Sequence, residues 1–119
     1  MATTEWTEGR IRSFIVSVLR SGSRKWPAKY QTLAKAKTTK KINEATNRMA
    51  QHYRCNLCQN EFPQKQVEVD HILPVVDPVN GFTTWDEYIS RLFCGKENLQ
   101  VVCRTCHRAK SALEKTKRK

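Results

Sequence analysis

The amino-acid sequence predicts an α+β fold in which basic helices precede a core of short strands and helices stapled by cysteines. Three observations predict it. Apolar residues recur at helical spacing over residues 8–20, residues 65–72 alternate as a strand does, and two Cys-x-x-Cys pairs bracket the second half of the chain. At 119 residues the chain has room for one hydrophobic core. The expected organisation is a basic helical region over 1–54, a stapled core over 55–116 and a frayed basic tail over 117–119.

The elements follow in order. Ile11, Phe14, Ile15, Val18 and Leu19 form one apolar stripe, so residues 8–20 predict an amphipathic helix that Ser21-Gly22-Ser23 ends. Trp26-Pro27 marks a turn, because a residue before proline avoids helical geometry. Residues 28–41, rich in Ala and Lys, read as a weak solvated helix or an arm ordered on binding, and a third helix is expected over 43–51. Lys65 to Ile72 alternates and reads as a strand ended by Pro74. Residues 73–83 form a loop with an Asn80-Gly81 turn signal. Thr84 and Glu87 have capping-box spacing for a helix to about Phe93, with Trp85, Tyr88, Ile89 and Leu92 inward. Residues 99–103 are a second strand, and Thr105 caps a last helix over about 106–116 with Ala109, Ala112 and Leu113 inward.

Charge narrows the class of function. Twenty-two Lys and Arg against eleven Asp and Glu leave a net charge of +11. The excess is split: residues 1–54 carry +9, residues 55–102 carry −4 and residues 103–119 carry +6. An acidic centre between two basic arms suits an anionic partner, with nucleic acid the first candidate, although lysines also serve solubility. No apolar run approaches the ~18 residues of a membrane span. The first residues lack the basic start and apolar stretch of a signal peptide. Membrane and secreted readings are therefore poor, and a cytoplasmic location is expected.

Cys55, Cys58, Cys103 and Cys106 form the two pairs, and Cys94 is spare. Two such knuckles suit a structural tetrahedral Zn²⁺, since each presents two thiolates to one ion. A redox dithiol, a cluster site or small buried hydrophobes are the competing readings. The 44 residues between the pairs exceed a compact zinc ribbon, so the metal would staple a long excursion. Cys94 is expected to be buried, or to replace a ligand.

Within and after that excursion stand Val69-Asp70-His71-Ile72-Leu73-Pro74, then Glu97-Asn98-Leu99-Gln100-Val101-Val102-Cys103, then Cys106-His107-Arg108-Ala109-Lys110. With His, Asn and His at 71, 98 and 107, residues 55–113 resemble the HNH endonucleases of the ββα-metal fold. They are similar in particular to small bacteriophage and prophage HNH proteins, whose N-terminal regions are also basic and helical. The resemblance implies metal-dependent hydrolysis of DNA phosphodiester bonds, by nicking or double-strand cleavage, leaving 5′-phosphate and 3′-hydroxyl ends. It implies His71 as general base, Asp70 and His107 as ligands of a catalytic divalent cation, and Asn98 as the residue orienting the loop that carries the base.

The chemistry is sound for these residue types. Neutral imidazole can activate water near pH 7, and a divalent ion neutralises charge on the leaving oxygen. Some members of that family, including the colicin-type toxins, place a further metal-binding histidine one turn after the position of His107, where this chain has Ser111. Two protein ligands favour Mg²⁺ or Mn²⁺. Arg104, Arg108 and Lys110 are the expected DNA contacts, with Arg20, Lys35, Lys40 and other basic residues of the first 54 gripping further backbone. DNA is the expected partner, with a second copy of the chain or phage packaging proteins as further candidates. The alternatives for single residues are an ordinary polar role at a strand end for His71, a cap or a pairing with a nearby Arg for Asp70, a turn role for Asn98, a Cys₃His zinc site using His107, and a structural or surface role for His52. For the whole chain the alternatives are a non-catalytic zinc-stabilised DNA-binding module, or an accessory of a phage packaging machine.

Overall fold

Thr7 opens the first helix by accepting a hydrogen bond from the Arg10 amide, in a computed structural model that describes residues 5–117. Helix α1 spans Glu8–Ser23 and runs through Ser21-Gly22 instead of stopping there. Ser23 is buried and its hydroxyl donates to the Arg20 carbonyl, which satisfies the last turn from within. Pro27 then starts α2, Pro27–Lys35, at a position where its missing N–H costs nothing.

The next segment corrects the sequence reading. The helix expected over 28–41 ends at Lys35, and the one expected over 43–51 is absent. Strands β1, Lys37–Asn43, and β2, Arg48–Arg54, form an antiparallel hairpin in their place. Its turn is built by asparagines: Asn43 Oδ1 accepts from the Ala45 amide, and Asn47 takes the left-handed conformation at φ 60°. Tertiary packing outweighs the helix propensity of Ala and Met, because β2 must deliver Tyr53 into a core cluster with Val67 and Val101.

Strand β3, Glu61–Pro63, adds to β2 alone, giving the order β1-β2-β3. The second sheet pairs β4, Val67–His71, with β5, Leu99–Cys103, in antiparallel register from Val67 opposite Cys103 to His71 opposite Leu99. Every residue of β5 is buried. Between these strands lies α3, Trp85–Leu92, capped by the Thr84 hydroxyl on the Glu87 amide at 3.1 Å. Gly81 takes φ 74° in the preceding turn, which Asp77 closes through the Val79 and Asn80 amides. Helix α4, Arg104–Thr116, follows β5 with no loop; Cys103, not Thr105, is its N-cap. Lys117 ends α4, and the rest of the tail expected at 117–119 lies outside the described residues.

Two faces differ from expectation. Ile89 is 41% exposed, whereas Tyr88 and Leu92 are buried with Val75 in a cluster that α1 covers with Val16 and Leu19. On α4, Ala109, Ala112 and Leu113 face outward; the residues turned inward are Cys106, His107, Lys110, Ser111 and Glu114. A helix that packs with polar side chains needs them satisfied there. The N-terminal helices are tied in by Trp26, whose Nε1 donates to the Cys94 carbonyl at 2.7 Å and whose ring meets Phe93 edge-on. No described helix is long and apolar enough to cross a membrane.

Leu92 is 1% exposed at the centre of the cluster shared by α1 and α3. Leu92→Ala is expected to cost about 2–5 kcal/mol. Chemical denaturation checks it, and a variant as stable as the wild type would show that this cluster does not hold the helices.

Candidate metal centre and adjoining polar seam

The two knuckles are built alike. In each, the amide of the second cysteine points at the sulfur of the first: Cys58 N to Cys55 Sγ at 3.4 Å, and Cys106 N to Cys103 Sγ at 3.4 Å. The first is a tight turn in which the Gln59 amide donates to the Cys55 carbonyl and Gln59 has φ 64°. The second is the β5–α4 junction itself. Asn56 joins them, its amide donating to the Val101 carbonyl and its side chain to the buried Gln100.

The four sulfurs lie within 4.8 Å of one another. Sulfurs about 2.3 Å from a tetrahedral zinc lie about 3.8 Å apart, so the cluster can hold such an ion with little movement. Burial pushes the Cys55 thiol up, but the backbone N–H groups of Cys58, Cys103 and Leu57 outweigh it and bring it down to about 6. Cys106 is pushed up to about 12, first by the Cys103 side chain and then by burial. Four thiolates within 4.8 Å of one another repel, and a central cation is what offsets that repulsion. Neither Cys94 nor His107 belongs to the cluster; Cys94 is half-buried, with Asn98 Nδ2 at 3.9 Å from its sulfur.

The other residues singled out from the sequence flank the β4–β5 sheet. Adjacent strand residues face opposite ways. Asp70 faces α4, where its Oδ1 lies 3.8 Å from His107 Nε2. His71 faces α3, and its Nε2 lies 3.0 Å from the Leu92 carbonyl. A carbonyl only accepts, so Nε2 carries the hydrogen and Nδ1 keeps its lone pair. Burial is the main reason that the His71 pKa sits below the ordinary imidazole value; Lys29 and Arg20 add to it, against the Leu92 carbonyl and Asp70. The ring is therefore neutral at pH 7.

Asn98 latches the chain just beyond His71. Its backbone carbonyl accepts from the Ile72 amide at 2.8 Å, and its Oδ1 accepts from the Leu73 amide at 3.0 Å. Strand β4 thus ends at His71, with the following turn pinned to the residue before β5.

Lys110 does not reach into solvent. Its ammonium donates to the His71 carbonyl at 3.0 Å and to Glu114 at 2.6 Å, and lies 3.1 Å from Asp70 Oδ2. Burial works against that charge, but Glu114 and Asp70 prevail and hold its pKa above the usual lysine value. Asp70 Oδ2 is buried and, despite the nearby ammonium, has no aligned hydrogen bond. Arg104 and Arg108 are exposed on α4, and His52 is buried with Nδ1 against the Ala50 carbonyl.

Glu68 and Glu114 complete the seam and were not among the residues expected from sequence. Glu68 Oε2 lies 3.3 Å from His107 Nδ1. The signal was present: the period of two places Glu68 on the face of Asp70, and helical spacing aligns residues 107, 110 and 114. No protein-family model, no curated protein and no solved structure matches the chain. The fold and site define a mixed α+β protein with a four-cysteine cluster able to hold a structural metal such as zinc.

Proposed function

We propose that the chain is a metal-dependent endonuclease of the HNH type, cleaving DNA phosphodiester bonds with β4, β5 and α4 as its ββα-metal core. The observation that carries this reading is the pair of neighbours Asp70 and His71. One turns its carboxylate to the His107 imidazole, and the other holds a neutral imidazole on the opposite side of the same strand end.

The residues fit a divalent ion. Two atoms each about 2.1 Å from one ion can stand no more than about 4.2 Å apart. The 3.8 Å between Asp70 Oδ1 and His107 Nε2 lies inside that limit. The other oxygen, Oδ2, lies 3.1 Å from the Lys110 ammonium, which fixes the carboxylate beside His107. Glu68 beside Nδ1 favours the tautomer whose Nε2 lone pair faces Asp70, the usual outer support of a metal-bound histidine. When bound, Mg²⁺ or Mn²⁺ supplies Lewis-acid stabilisation of the leaving oxygen. His71 accepts the proton of the attacking water at Nδ1, and Asn98 keeps residues 72 and 73 in place behind it. Exposed Arg104 and Arg108 reach flanking phosphates, which adds affinity without reading sequence.

A second reading, a zinc-stabilised DNA-binding module without catalysis, draws on one observation: Lys110 already gives Asp70 a counterion. A plasmid-nicking assay separates the two. Supercoiled plasmid is expected to be nicked with Mg²⁺ or Mn²⁺, not with EDTA, and not by Asp70→Ala. Plasmid binding without nicking under either metal would move the assignment to the binding module.

A further inference from the structure

The β1–β2 hairpin outruns the sheet that carries it. Strand β3 pairs only with His52, Tyr53 and Arg54, so residues 40–51 extend beyond its backbone pairing as a two-stranded ribbon among the described residues. On one face of that ribbon Ile42 and Met49 are cross-strand partners, 58% and 64% exposed, with Lys40 opposite Gln51 behind them. Arg48, next to the turn, is exposed as well. Between residues 35 and 54 there are six Lys and Arg and one carboxylate, Glu44. Lys41 is engaged by Glu61, which leaves Lys40, on the face of the apolar pair, and Arg48, on the opposite face beside the turn, as the nearest cations.

Charge selects the occupant. A second copy of this chain would bring another +11 to the same face, whereas a polyanion is drawn to it. A two-stranded ribbon is one of the few elements that the ~12 Å major groove of B-form DNA admits, and apolar side chains there meet thymine methyl groups. We propose that the hairpin is a DNA-binding arm. Its ribbon lies in the major groove with Ile42 and Met49 against base edges, and Lys40 and Arg48 lie on the flanking phosphates. This rests on the DNA reading above and adds to it the element that grips the duplex away from the cleavage site.

The test measures binding of the full, zinc-loaded chain to a short DNA duplex across a salt series, with zinc content and circular dichroism as controls for folding. Lys40→Gln/Arg48→Gln is expected to reduce the slope of log affinity against log salt by about 2, close to one for each phosphate no longer neutralised. Ile42→Ser/Met49→Ser is expected to lose about tenfold in affinity or more with the slope unchanged. Replacing thymine by uracil should weaken the wild type and not that variant. If the wild type binds the duplex and both variants bind it equally, the arm is overturned and the nuclease reading stands. A wild type that does not bind duplex DNA overturns both. Self-association of the wild type that Ile42→Ser/Met49→Ser abolishes would assign the apolar pair to a second copy and overturn the arm.

Discussion

Cys55→Ser or Cys103→Ser is expected to strip the metal and unfold the chain. Structural zinc sites bind with apparent free energies of about 10–16 kcal/mol, as large as the net stability of a whole domain, about 5–15 kcal/mol. Here the cluster also replaces packing: Cys55 and Val102 are fully buried, and α4 has no buried residue of its own. Cys103 is at once the last residue of β5, a cluster member and the N-cap of α4. Metal analysis with circular dichroism checks the outcome, and Cys94→Ser is the control that keeps both metal and fold. Stoichiometric zinc retained in both knuckle variants would remove the staple from the account.

His71→Ala is expected to reduce nicking by roughly 10²–10⁴, the usual worth of a positioned general base, with zinc content and melting temperature little changed. The side chain makes one hydrogen bond, to the Leu92 carbonyl, and that end of α3 is held independently by the buried Tyr88 and Leu92. Single-turnover nicking at saturating metal reads the effect on chemistry alone. A fully active variant would deny His71 the proton and shift attention to the α4 side of the sheet.

Where local pattern and tertiary environment agree, the sequence was readable. Alternation gave β4, the short run into the second knuckle gave β5, the Thr84–Glu87 spacing gave α3, and the paired cysteines gave the cluster from spacing alone. Residues 36–54 were not readable, because Ala, Lys and Met carry no strand signal and the reason for β2 is remote: Tyr53 fills a space between Val67 and Val101. The inward face of α4 was misjudged for a related reason. Ala109, Ala112 and Leu113 follow the rule that apolar residues face the core, but the surface opposite carries Glu68 and Asp70, so His107 and Lys110 turn in. The candidate site residues were visible as a pattern; their partners, the Leu92 carbonyl, Glu68 and Glu114, depend on how separate elements meet.

The tie between Trp26 and the Cys94 carbonyl, together with Val16 and Leu19 against Tyr88 and Leu92, has a consequence for the newborn chain. The first helices leave the ribosome long before the residues they pack on. At about 5–20 residues per second, the interval between the emergence of Cys55 and of Cys106 is about 3–10 s. Throughout it the first knuckle is a bare dithiol, and the apolar face of α1 has nothing to cover it until Tyr88 and Leu92 emerge, ahead of Cys106. Completion of the fold is therefore expected to wait for the last cysteine to appear.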